Sequence, residues 1–107
     1  MNKPEITGGT WESDGVFITS SEQPKNVVAH VSNAHVSKEQ KEANAQAISA
    51  VPELIDVLIE TDKDLCVLET TMRQIEKSDS RAEGMTNLVI EWRKRNKQAL
   101  LKAGCYE

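Results

Sequence analysis

The chain has 107 residues, a net charge of −4, 38% hydrophobic residues and four aromatics, Trp11, Phe17, Trp92 and Tyr106. That length reads as a single domain over 1–107, near the lower limit of what one core supports. No apolar run approaches the ~18 residues of a membrane span, the N-terminus Met1-Asn2-Lys3-Pro4-Glu5 lacks a signal-peptide core, and two cysteines, Cys66 and Cys105, are too few for a disulfide scaffold. The compartment expected is therefore a reducing cytoplasm.

From Thr10 to Thr19 the sequence predicts a β-hairpin, with Asp14-Gly15 as the central pair of a type I′ turn and Val16, Phe17 and Ile18 as strand formers. A turn over 20–25 and a third strand over 26–31 complete an antiparallel β-meander spanning 10–31. Three short strands need a helix across one face to be stable. Ser37-Lys38-Glu39-Gln40 has the capping-box pattern that starts one, giving a short helix over 38–51 with Ala43, Ala47, Ile48 and Val51 inward. Pro52 breaks it and becomes the first residue of the next helix, because proline lacks an amide hydrogen and disfavours helical geometry at Val51.

The long helix expected over 52–77 places Leu54, Leu58, Thr61, Leu65, Leu68, Met72 and Ile75 at alternating steps of four and three, the seam of a helix packed lengthwise on another. A second strip, Ile55, Ile59 and Val67, exceeds what one partner covers. Ser78-Asp79-Ser80 interrupts the pattern, and a last helix over 81–103 carries Met85, Leu88, Val89, Trp92, Ala99, Leu100 and Ala103 on one side, with Gly104 after its end. The fold class expected is α+β: the small N-terminal β-meander, the short helix broken at Pro52, and a long antiparallel helical hairpin. Leftover apolar strips predict a homodimer or higher oligomer built from paired hairpins.

Charge is uneven: residues 37–77 hold five bases and nine acids, whereas 78–107 hold six and four, concentrated in Arg93-Lys94-Arg95-Asn96-Lys97. The overall acidity opposes binding to long nucleic acid, but this basic strip can hold one or two phosphates. Equally, it can be the solvated C-terminal half of a helix, complementing the macrodipole.

Gly9-Thr10-Trp11, the run from Glu42 to Leu54 (Asn44-Ala45-Gln46-Ala47-Ile48-Ser49-Ala50-Val51-Pro52-Glu53-Leu54 at its heart) and the closing Ala99-Leu100-Leu101-Lys102-Ala103-Gly104 resemble a group of small phage and prophage accessory proteins with an N-A-x-x-I-x-A-x-P-E-L motif. Ser49 and Val51 depart from that group's more Leu- and Ala-rich form. The resemblance implies phage origin and work in the cytoplasm of an infected bacterial host, without implying a reaction. A narrower, architectural similarity is to phage Thoeris anti-defence signal sponges, an N-terminal sheet followed by two helices, assembled through dimers, that trap cyclic ADP-ribose-type signals. No binding residue is carried over from them.

Trp92, Arg93, Arg95 and Asn96 form the candidate ligand-binding set. A tryptophan face stacks on a base and an arginine pairs a phosphate with two hydrogen bonds, while the same tryptophan can instead plug a core. Asn44 can read a base edge or satisfy backbone groups, and Arg73 can reach a neighbouring protomer or pair with Glu69 or Glu76. His30 and His35 fit no metal spacing, neither cysteine has a general base near it in sequence, and no Gly-x-Ser-x-Gly elbow occurs. No catalytic residue, metal or cofactor is therefore expected. Taken with what the resemblance implies, the expectation is a non-enzymatic phage counter-defence protein that sequesters a small anionic nucleotide signal. The rival expectation is a protein-binding, anti-CRISPR-like inhibitor of a host defence enzyme, with Glu60, Asp62, Asp64 and Glu69 as a nucleic-acid decoy.

Overall fold

The computed structural model describes residues 1–22, 27–31 and 36–107. Along them lie β1 (Trp11–Ser13), β2 (Phe17–Ser20), β3 (Val27–His30), α1 (Lys38–Ser49), α2 (Val51–Ser78), a 3₁₀ turn (Ser80–Ala82) and α3 (Glu83–Lys102). The fold is α+β, with one antiparallel sheet in the order β1-β2-β3 followed by helices. Residues group into two compact units, 5–54 and 1–4 with 55–107. No helix of the described residues is long and apolar enough to cross a membrane.

In the sheet unit, Trp11 pairs with Ser20 and Ser13 with Ile18, a register that centres the turn on Gly15-Val16 rather than on Asp14-Gly15. The reason is the Asp14 carboxylate, whose Oδ1 accepts from the amides of Val16 and Phe17 and so holds Asp14 as the first corner of the turn. Gly15 supplies the positive φ, 95°, at the next position. Those two amides hold the Asp14 carboxyl below its ordinary range, Phe17 contributing most. Gly9, at φ 78°, is also required: an added Cβ would sit 2.9 Å from Ser21 Oγ and 3.0 Å from the Glu22 amide nitrogen. Of the turn expected over 20–25, Ser20 belongs to β2 and residues 23–25 lie outside the described residues, as do Asn26, expected to open the third strand, and His35.

The unit's core is small and aliphatic. Ile18, Val31 and Ala45 are buried, with Trp11, Val28, Ala29 and Ile48 packed on them. Helix α1 begins as expected, with Ser37 Oγ accepting from the Gln40 amide at 3.1 Å and the Ser37 amide donating to Gln40 Oε1 at 3.2 Å. Its inward face differs from expectation, being Ala45, Ile48 and Ser49 while Ala43 and Ala47 face solvent. Ser49 tolerates burial because its hydroxyl donates to Gln46 O. The helix stops at Ala50, and Pro52 takes the second position of α2, where no intrahelical amide bond is lost.

In the helical unit, α2 ends where Ser78-Asp79-Ser80 predicts. Asp79 accepts from the Arg81 amide and pairs with its guanidinium, which lowers the carboxyl and raises the guanidinium from their ordinary values. Helix α3 closes in a Schellman motif: the Gly104 amide donates to Leu101 O, the Cys105 amide to Leu100 O, and Gly104 has φ 93°. Leu100 and Cys105 are both buried, so Cys105 is not in the exposed tail that its position near the terminus suggests. Asn2 and Tyr106 form a two-hydrogen-bond antiparallel bridge, and Lys3 pairs with Asp56.

Candidate functional site

The α2–α3 hairpin has two distinct faces. Arg93 reaches from α3 toward Asp62 and Glu69 of α2, at 3.7 Å and 3.5 Å, and Arg73 approaches the same Glu69 oxygen at 3.6 Å. One turn further on, Asn96 Nδ2 donates to Leu58 O at 3.0 Å, joining side chain to backbone across the pair. Asp62 and Glu69 are only 14% and 18% exposed, and Asp62 Oδ1 has no hydrogen-bond partner although the arginine charge lies beside it. Apolar residues bracket this polar layer, with Ile55 and Ile59 buried on α2 and Val89 and Leu100 on α3.

The strip expected to be the packing seam only borders the interface: Leu58, Thr61, Leu65 and Met72 are half-buried, whereas Leu54, Leu68 and Ile75, with Met85, Leu88 and Trp92 of α3, are exposed on an outer face. The fully buried positions are Ile55 and Ile59 on α2 and Val89 and Leu100 on α3. Spacing favours the longer leucine strip, but Ile55 and Ile59, each one residue on and so about 100° around the helix, are the residues that α2 buries. Val67, grouped with Ile55 and Ile59 from sequence, is 67% exposed on the far side.

Between the helices on this outer face lies an open groove of about 460 Å³ lined by Thr61, Leu65, Trp92, Arg95 and Asn96. Three of the six expected ligand residues therefore meet: Trp92 with its ring at the surface, Arg95, and Asn96, already engaged through its amide nitrogen. Arg95 forms no ion pair among the described residues. Arg93 and Arg73 are turned toward Glu69 and do not line the groove. Asn44 belongs to the other unit, exposed on α1. Sequence reasoning missed Thr61 and Leu65 as groove residues, because they were assigned to the buried seam.

The acidic set Glu60, Asp62, Asp64 and Glu69 does not form one exposed strip. Glu60 pairs with Lys63 at the surface, and Asp62 and Glu69 face Arg93, which leaves Asp64 exposed without them. His30 stacks on Phe17, ring centroids 5.0 Å apart, on the exposed side of the sheet. Among the described residues no three of His, Cys, Asp and Glu come together as metal ligands.

A groove with an aromatic wall, one uncommitted guanidinium and an amide carbonyl can hold a flat, anionic small molecule, with stacking and charge-assisted hydrogen bonds supplying the attraction. No protein family, curated protein or solved structure matches this chain.

Proposed function

We propose that this chain is a non-catalytic binding protein that sequesters a small nucleotide-type anion, a cyclic nucleotide or ADP-ribose-type immune signal, in the Trp92 groove. In this reading it works as a self-associated phage counter-defence protein in the cytoplasm of an infected bacterium. The supporting observation is the convergence of Trp92, Arg95 and Asn96 on one groove, with Arg95 uncommitted among the described ion pairs. The volume of about 460 Å³ falls within the roughly 300–1,000 Å³ of small-molecule sites. The phage setting comes from the Asn44–Leu54 motif.

The test is a melting-temperature series with cyclic mono- and dinucleotides and ADP-ribose isomers. A ligand at 100 times its Kd stabilises by about 2.7 kcal/mol, a shift of about 10 °C in a chain of this size. Trp92→Ala and Arg95→Ala should each abolish that shift, while Arg93→Lys, outside the groove, retains it. An unchanged melting temperature across the panel removes this reading.

A second reading is a protein-binding inhibitor of a host defence enzyme. It draws on the exposed Leu68, Met85 and Leu88 around the groove rather than on an acidic decoy, since two of the four carboxylates face Arg93.

A further inference from the structure

We infer that the outer face of the hairpin is covered by a second copy of this chain, two α2–α3 hairpins pairing into a four-helix bundle across the groove. Three features support that occupant. On α2 the strip from Leu58 through Thr61, Leu65, Leu68 and Met72 to Ile75 alternates steps of three and four. On α3, Met85, Leu88, Trp92, Arg95 and Ala99 do the same. Two such strips side by side on an antiparallel pair are half of a four-helix bundle, and the matching half is another hairpin of the same pitch. The remaining faces of these helices carry most of their charge, whereas this one has Arg95 alone within the strip.

Charge selects the partner further. Asp64, three residues after Thr61 and four before Leu68, borders the strip on α2, and Glu91, three after Leu88, borders it on α3; both are exposed. Neither forms an ion pair among the described residues, and neither does Arg95. Each copy thus offers one cation and two border acids, and a two-fold contact can set each Arg95 against a border acid of the other copy. Because the groove opens in the middle of this face, pairing converts it from an open channel into a cavity walled by both copies. Trp92 and Arg95 belong to both the groove and the pairing face, so the pairing is tested without added ligand.

Sedimentation velocity over a wide concentration range tests it. The wild-type chain is expected to sediment as a dimer at micromolar concentration, and Leu88→Lys as a monomer with unchanged helical circular dichroism. Val67→Lys, on the opposite side of α2, should leave the dimer intact. Arg95→Glu removes no packing within one copy and should weaken association about 10-fold or more, with Arg95→Glu/Asp64→Arg/Glu91→Arg recovering it. A wild-type chain that stays monomeric overturns the inference, and so does a dimer that Leu88→Lys and Arg95→Glu both leave unchanged. A dimer that binds no nucleotide removes the ligand reading and leaves the pairing. A monomer that binds one does the reverse.

Discussion

The two faces of the helical hairpin differ in how they mix residue types. The inner face sets Arg93, Asp62, Glu69 and Asn96 among buried Ile55, Ile59, Val89 and Leu100, while Leu68, Ile75, Met85, Leu88 and Trp92 look outward. The inner face trades packing energy for definition. A charged layer in a two-helix interface is satisfied in one alignment only, and sliding either helix by a turn strands a carboxylate beside leucine. The outer face has no such lock and keeps its apolar area free for another surface. A hairpin that lacks a third helix must fix its register with polar contacts, because two helices bury too little apolar area to do it by fit.

Breaking the lock should have the largest effect. Arg93→Met leaves Asp62 without a cation and Glu69 with Arg73 alone, and should destabilise the chain by about 2 kcal/mol in urea unfolding, less than a fully buried pair because Arg93 is partly solvated. Replacing Arg93, Asp62 and Glu69 together with apolar residues should recover most of that loss while reducing the cooperativity of the transition. A loss below about 0.5 kcal/mol for Arg93→Met would place the network among ordinary surface pairs.

Adjacent residues on α3 sharpen the contrast. Val89 is 0% exposed and Leu88 41%. Val89→Ala should cost about 2 kcal/mol, transfer plus cavity, whereas Leu88→Ala should cost under about 0.5 kcal/mol at concentrations where copies are separate. Equal costs would mean that the two faces are equally packed within one copy.

The spacing of three and four on α2 and α3 made the hairpin legible, and the capping box at Ser37 and the stop at Ser78-Asp79-Ser80 placed the helix limits to within a residue or two. What spacing misjudged was which of two strips faces the partner helix. That choice was made by Arg93, Asp62 and Glu69, a polar layer in the interface, and a hydrophobic count treats such residues as surface by default. For the same reason Arg93 and Arg95, two residues apart and chemically identical, had equal standing as ligand residues. They lie about 200° from each other around α3, so only one can face α2, and Asp62 and Glu69 take Arg93. The burial of Cys105 escaped because it comes from the Schellman turn at Gly104, which folds the tail back on Leu100.

Turns outside either face should give smaller changes. Gly104→Ala places a side chain at φ 93°, with Pro4 Cβ 3.3 Å away, and should cost about 1–2 kcal/mol by thermal melting without altering dimerisation. Acid should produce the smallest effect. The Asp14, Asp79 and Glu107 carboxyls are held below their ordinary values, Asp14 by the Phe17 and Val16 amides, Asp79 by Arg81 and Glu107 by Lys97. A lowered folded value means that the stabilisation is complete above the ordinary values, 3.8 for Asp and 4.5 for Glu, and is lost as pH falls through the folded ones. Melting temperature followed into acid should therefore decline below those values, and Asp14→Asn should flatten part of the decline.

The bridge between Asn2 and Tyr106 makes the helical unit discontinuous in sequence: its first four residues are separated from the rest by the whole sheet unit. Two backbone hydrogen bonds tie those residues to the turn that closes α3, and Lys3 adds its pairing with Asp56. Peeling away residues 1–4 and fraying the turn at Gly104 are therefore one opening event, and hydrogen exchange at the Asn2 and Tyr106 amides should report a single shared rate.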